Sequence, residues 1–303
     1  MRIAIASFLL LAAAGCDRAK PLPNPTPVNP FDGERAYRRL VELCMMGPRN
    51  HGSDVKEKAE DWIQAKLKEA GAAVEVHAFE HVARGATGPS KFRNIVGRFR
   101  PELTQRVMLG THYDTRSWAD KDPRVEDRVY PIVGANDGGS GVVVLLELAL
   151  CWKDRPPPVG VDLMFFDGED FGREGIWEDY FLGSQAWVRD HPQYRVEWGV
   201  IVDMIGDSRL AIRREGLSRQ KAPAVVARVW AAAKRAGAAA FLDEDQSTMM
   251  DDHNAFLNAG IPVVLLIDFE YPYFHTGDDT PEQCSAASLG QVGRTLYEAV
   301  SAR

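Results

Sequence analysis

From residue 106 onward, four apolar runs of strand length recur, and each ends in a turn that carries acid or imidazole. "RVMLGTHYDT" delivers His112 and Asp114, and "VDLMFFDGED" delivers Asp167, Glu169 and Asp170. "WGVIVDMIGD" delivers Asp203 and Asp207; "IPVVLLIDFEYPYFHTGDD" delivers Asp268 and, a loop later, His275. Between them, "GSGVVVLLELALCW" and "QKAPAVVARVWAAAKRAGA" read as helices. Upstream, "DVKEKAEDWIQAKLKEAGA" places Ala59, Trp62, Ile63, Leu67 and Ala70 at helical spacing, with Asp54 placed to cap it. "AAVEVHAFEHV" and "FRNIVGRFR" read as strands. Strands alternating with helices predict a single α/β domain, a central twisted, mixed and mostly parallel sheet flanked by helices. In such sheets a site lies beyond the carboxyl ends of the strands, where these polar residues collect.

The densest of the turns is "FFDGEDFGREGIWEDYFLGS", residues 165–184. Asp167, Glu169, Asp170, Glu174 and Glu178, with Asp179 beside the last, follow a buried-looking run there, with only Arg173 to balance them. So much like charge at a strand end calls for a cation. The whole chain offers no general one: its net charge is −7 and it has no Lys/Arg cluster, so nucleic acid and anionic lipid are excluded as partners.

The start of the chain has a different character. "MRIAIASFLLLAAAGC" has one basic residue and an apolar run too short to span a bilayer, which reads as a secretory signal peptide. Ending in "AAAGC", it resembles a bacterial lipoprotein signal, with Cys16 as the lipidated first residue of the mature chain. The expected organisation is therefore a signal over 1–16, a proline-rich linker over 17–31 and one domain over 32–303. The protein is expected in the bacterial cell envelope, held by its lipid and facing the periplasm. Cys44, Cys151 and Cys284 show no disulfide or zinc-knuckle spacing and are expected in the core, with one disulfide open to them in an oxidising compartment.

His112, Asp137, Glu169, Asp170, Asp203 and His275 form the pool of candidate ligands. Carboxylates and imidazoles without thiolates suit zinc, or another borderline divalent ion, in a catalytic site. The alternative is a set of strand-end caps and surface ion pairs. No G-x-S-x-G elbow follows a strand, and "GGSG" at 138–141 lacks the lysine of a phosphate loop.

"GTHYDT", "GANDGGSGVVVLLELA", "FFDGED", "DMIG" and "FHTGDDT" occur in the order, and at roughly the intervals, of the zinc aminopeptidase family. The chain resembles that family, which includes bacterial leucyl aminopeptidases and animal-type glutaminyl cyclases, from "GPRNHGS" at 47 to its end. For a two-zinc peptidase the resemblance implies that Asp137 bridges the ions. His112 and Asp203 would complete one site, Asp170 and His275 the other, with Glu169 as general base. For a one-zinc cyclase it implies Asp137, Asp170 and His275 as ligands. Asp170 stands where the peptidases usually carry Glu, one methylene longer.

Three features resemble the cyclase branch. "FGREGIWEDYFL" is a long insertion with Trp177 at its middle; "MMDDHNAF" places Asp251 and Asp252 before His253; and "GPRNHGS" resembles the cyclases' "GPR…GS". Phe274 precedes the last ligand where the cyclases commonly place Trp, so an aromatic wall remains without an indole donor. The expected activity is zinc-dependent cyclisation of N-terminal glutamine in peptides or proteins, with one zinc favoured over two. Glu169 would shuttle the proton, Asp203 and Asp251 would form a second acidic layer, and Trp177 and Phe274 would wall the substrate. The alternative is a zinc aminopeptidase; a third reading, a lipid-anchored binding protein without activity, conflicts with the intact ligand set. Asp114 is expected to orient His112, and His51 and His191 to lie on the surface. A monomer is expected.

Overall fold

The computed structural model describes residues 29–302. The signal, Cys16 and most of the linker therefore lie outside the described residues. Residues 29–31 do not behave as linker, because Phe31 has an apolar ring to bury. It is 5% exposed. Its ring lies where a Cβ on Gly293 would meet it at 2.0 Å, and the Asn29 amide donates to the carbonyl of Arg294 at 3.0 Å.

Two helices open the domain, α1 (Gly33–Cys44) and α2 (Asp54–Glu69). Ser53, not Asp54, caps α2: its hydroxyl accepts from the Lys56 N–H, and Asp54 becomes the first helical residue. The hairpin β1 (Ala73–His81) and β2 (Ser90–Phe99) follows, then β3 (Arg106–His112), α3 (Gly141–Asp154), β4 (Gly160–Phe166), α4 (Leu182–Asp190) and β5 (Trp198–Asp203). Next come β6 (Ile212–Arg214), α5 (Gly216–Lys221), α6 (Pro223–Ala236), β7 (Phe241–Asp245), α7 (His253–Asn258), β8 (Val263–Ile267) and α8 (Ala286–Ser301). The stretch expected as one helix around Pro223 is two. Proline lacks the N–H a helix interior needs and pushes the preceding Ala222 to φ −133°, so α6 restarts with Pro223 in its first turn.

The main sheet runs β1-β2-β4-β3-β5-β8. β3, β4, β5 and β8 are parallel, and the β1–β2 hairpin adds antiparallel strands at the β4 edge. Every residue of β4, β5 and β8 is buried, as expected of strands covered on both faces. Side chains alternate between two cores. Val107 and Leu109 face α1, α3 and α8, whereas Met108 packs with Trp187 of α4 and Phe256 of α7. α3 is buried through most of its length in the larger core, and its one buried acid, Glu147, is clamped by Arg35 and Arg39 of α1.

Register positions the site. His112 pairs with Phe166, and Asp203 pairs with Ile267, so the four parallel strands end flush. Their polar extensions emerge at one rim.

Candidate active site

His112 and Asp203 are the last residues of β3 and β5. Asp137 sits in the turn before α3, and the carboxylate of Asp279 accepts from the N–H groups of Asn136 and Asp137 at 2.9 and 3.1 Å. Gly138 follows at φ +81°, where a Cβ would lie 2.4 Å from the carbonyl of Asp114; only glycine lets this turn close on β3. Glu169 and Asp170 occupy the turn after β4. Their N–H groups both donate to the carboxylate of Asp114 at 3.1 Å. Asp114 thus holds that turn, while its oxygen stands 3.7 Å from the His112 ring, too far for a hydrogen bond. His275 lies in the loop after β8 at φ +55°, a left-handed conformation unfavourable for a non-glycine residue. Phe274 stacks on its ring at 3.7 Å, and the Lys121 N–H donates to its carbonyl.

These turns converge. Ligand atoms of His112, Asp137 and Asp203 lie within 4.8 Å of one another, and so do those of Asp137, Asp170 and His275. Nε2 of His112 stands 3.1 Å from Asp203 and 3.2 Å from Asp137; Nε2 of His275 stands 3.2 Å from Asp170 and 3.5 Å from Asp137. Oδ2 of Asp137 and Oδ2 of Asp170 are buried and have no hydrogen-bond partner. Buried carboxylate oxygens are normally satisfied, and a divalent cation shared between them and an imidazole would satisfy both. The donors fit zinc.

The electrostatics point the same way. Burial pushes the Glu169 carboxyl well above the usual range; His112 opposes that, and the charges of Asp170, Asp251 and Asp203 add to it. Asp251 is likewise raised, by burial and then by Asp203 and Asp252. Burial would lower His275, but the charge of Asp170 and the bonds to Asp120 and Asp170 bring it up to about 9. Burial would raise Asp170, yet His275 and Arg116 hold it below the ordinary carboxylate range.

A cleft of about 630 Å³ opens over this rim, with Glu169, Asp203 and Asp251 at its floor and Trp177, Met249, Met250, Phe269 and Phe274 on its walls. The long insertion begins and ends on the acidic turn, because the Phe181 N–H donates to the Glu169 carbonyl and that of Leu182 to Gly168. Trp177 is 62% exposed, touching Tyr180, and so stands at the mouth rather than packed inside. His253 is fully buried, with Nε2 3.4 Å from Glu215. His51 and His191 are not simple surface residues, since His51 stacks on Phe92 and His191 on Trp187. Among the described residues, Cys44, Cys151 and Cys284 are free and buried.

Sequence reasoning missed several supports. Arg49 is buried and donates to the carbonyls of Tyr113, Val133 and Gly134, which steadies the turn before Asp137. Asp279, Arg116 and Asp120 also touch the candidate ligands or their backbone. "GPR" carried a signal for Arg49 and "FHTGDDT" one for Asp279, but neither showed the contact it makes.

The sequence profile of peptidase family M28 matches residues 94–300. Among curated proteins, the glutaminyl-peptide cyclotransferase-like protein of Bos taurus is 23% identical over 89% of this chain and 75% of its own length. Among solved structures, Bacteroides thetaiotaomicron glutaminyl cyclase superposes with a TM-score of 0.86 at 35% identity, covering 90% of this chain and 98% of that one. A Zn-dependent exopeptidase from Parabacteroides distasonis reaches 0.87 at 31% identity, covering 90% and 99%. The flush parallel strands, the paired donor sets and the profile agree: the chain belongs to peptidase family M28.

Proposed function

We propose that this chain is a zinc-dependent glutaminyl-peptide cyclotransferase, converting N-terminal glutamine of peptides or proteins to pyroglutamate with release of ammonia. The observation that carries this reading is the Glu169–Asp203–Asp251 carboxyl group on the cleft floor, beside the Asp137–Asp170–His275 donor set and under aromatic walls. Cyclisation consumes no water. The α-amine loses a proton, its nitrogen bonds to the side-chain amide carbon, and the bond to the amide nitrogen breaks as that nitrogen gains a proton. Such a reaction needs one group that takes and then returns a proton. Glu169, raised by burial and neighbouring acids, has the environment for this. Asp251, raised for similar reasons, would hold its proton and keep the floor from accumulating charge. Phe274 would pack against the glutamine side chain and exclude water, and Trp177 would meet the substrate at the mouth.

Asp137, Asp170 and His275 would hold one zinc per chain, which when bound supplies Lewis acidity toward the substrate amide oxygen. His112 would then act as an imidazolium between Asp137 and Asp203; burial disfavours that charge, and the surrounding carboxylates restore it and raise the group well above its usual value. The overlapping donor set His112–Asp137–Asp203 favours the second reading, a two-zinc aminopeptidase. One assay separates them. Ammonia release from a Gln-initiated peptide, without free amino acid from a Leu-initiated one and with one zinc per chain, supports the cyclase. The reverse pattern with two zincs overturns it.

No helix among the described residues is long and apolar enough to cross a membrane. Attachment to the bacterial envelope would rest on a lipid at Cys16, with a monomeric catalytic domain facing the periplasm and peptide N-termini as its partners. Replacing Cys16 by Ser should move the protein from the membrane fraction to the soluble one.

A further inference from the structure

The loop after Asp114 carries two charged side chains that the proposed reaction does not use. Arg116 is 1% exposed, and a guanidinium so placed must find partners on every side. Its Nη1 donates to Oδ1 of Asp170 at 2.9 Å and to the carbonyl of Gly172 at 3.1 Å. Its Nη2 donates to Oδ2 of Asp120 at 2.5 Å and to the Tyr180 hydroxyl at 2.9 Å, and its Nε donates to Oδ1 of Asp120 at 2.9 Å. Asp120 turns the same oxygen toward His275, 3.3 Å from Nδ1.

The consequences for the two ligands differ. An imidazole ligates through the nitrogen that lacks a proton, and an acceptor at Nδ1 keeps the proton there and leaves Nε2 free. Nε2 of His275 is the atom facing Asp137 and Asp170. For Asp170, Arg116 fixes Oδ1, the oxygen 3.2 Å from Nε2 of His275, while Oδ2 is buried without a partner. The same guanidinium holds Gly172 and Tyr180, so the ligands and the loop bearing Trp177 share one anchor.

We infer that Asp120 and Arg116 are positioning residues of the metal site: Asp120 fixes the His275 tautomer, and Arg116 orients Asp120 and Asp170 together. This rests on the metal-dependent reading above. The test is zinc affinity of the purified full chain, measured by competition with a chromophoric chelator, alongside thermal unfolding of the zinc-free forms. Asp120→Ala should bind zinc about 10–100-fold more weakly, the loss usual when a ligand's hydrogen-bond partner is removed. Because the buried Arg116 loses two bonds in Asp120→Ala, its zinc-free melting temperature should fall, so affinity is compared well below that temperature on folded protein, where saturating zinc should restore its turnover. Asp120→Asn should stay close to the parent, because the amide oxygen still accepts from Nδ1. Unchanged affinity in Asp120→Ala, or equal losses in both variants, overturns the assignment. His275→Ala separates the two levels: if it retains zinc, the ligand reading fails; if it alone loses zinc, only the positioning role fails. Arg116→Gln strips a buried partner from two carboxylates and can unfold the chain, so the Asp120 pair carries the decision.

Discussion

Replacing Lys56 by Met should destabilise the protein by about 3–5 kcal/mol at pH 8, the loss expected when one partner of a buried ion pair is removed. Lys56 is 5% exposed, and its Nζ stands 2.6 Å from both Glu60 and Asp167. Asp167 is fully buried, two residues before Glu169, and it also accepts from the Arg93 N–H at 2.7 Å. Methionine fills the space of the lysine stem and removes only the charge. Even with Lys56 in place, burial pushes Asp167 up to about 7, against about 3.9 in an unfolded chain. A carboxyl raised in this way contributes stability below about pH 3.9 that is lost as pH rises through its folded pKa. Without Lys56 the folded value rises further. Between pH 6 and 8 the parent then loses about 1.4 kcal/mol through this group, and the variant about 2.7 kcal/mol. The gap between them widens by about 1.4 kcal/mol. Denaturant unfolding at pH 6, 7 and 8, extrapolated linearly, measures it. Lys56→Met combined with Asp167→Asn should flatten the pH dependence. A gap that ignores pH, or a loss under about 1 kcal/mol at pH 8, would refute the reasoning, because the buried carboxyl would then have found water or another partner.

Glu169→Gln should lower kcat by about 10²–10⁴, the range for a lost general base, while zinc per chain stays the same by metal analysis. Retained turnover removes Glu169 from the mechanism. Dialysis against a chelator should abolish ammonia release and zinc should restore it; full activity in verified zinc-free protein rejects the cofactor. Trp177→Ala should raise KM about fivefold with kcat little changed, since an exposed ring at the mouth offers a substrate contact of about 1 kcal/mol. A fall in kcat at constant KM would place Trp177 in the chemistry instead.

The strands and the donors were legible in the sequence for a local reason. The runs of β3, β4 and β5 end on or within four residues of a candidate ligand, as in "VDLMFFDGED", whereas Asp137 and His275 lie in loops and took their ligand roles from the resemblance. Parallel topology then follows from the helices between runs, and convergence from the flush strand ends. The tertiary structure decided which polar group meets which. Asp279 holds the turn of Asp137 from 142 residues away, and Arg116 reaches Asp170 across 54. Periodicity reports that a side chain is buried, never its partner, so nothing in the linear pattern paired Asp120 with His275 or Lys56 with Asp167. Helix ends depend on single backbone bonds for the same reason, and so the α2 cap fell on Ser53. The acidic turn at 165–184 shows both contributions. Its excess charge was plain in the chain, and the resemblance implied roles for Glu169 and Asp170, but the partners were not legible: Asp167 pairs with Lys56, Asp170 is shared with Arg116 and His275, and Glu169 lines the cleft beside Asp203 and Asp251. That allocation depends on three-dimensional neighbours, which the linear order does not carry.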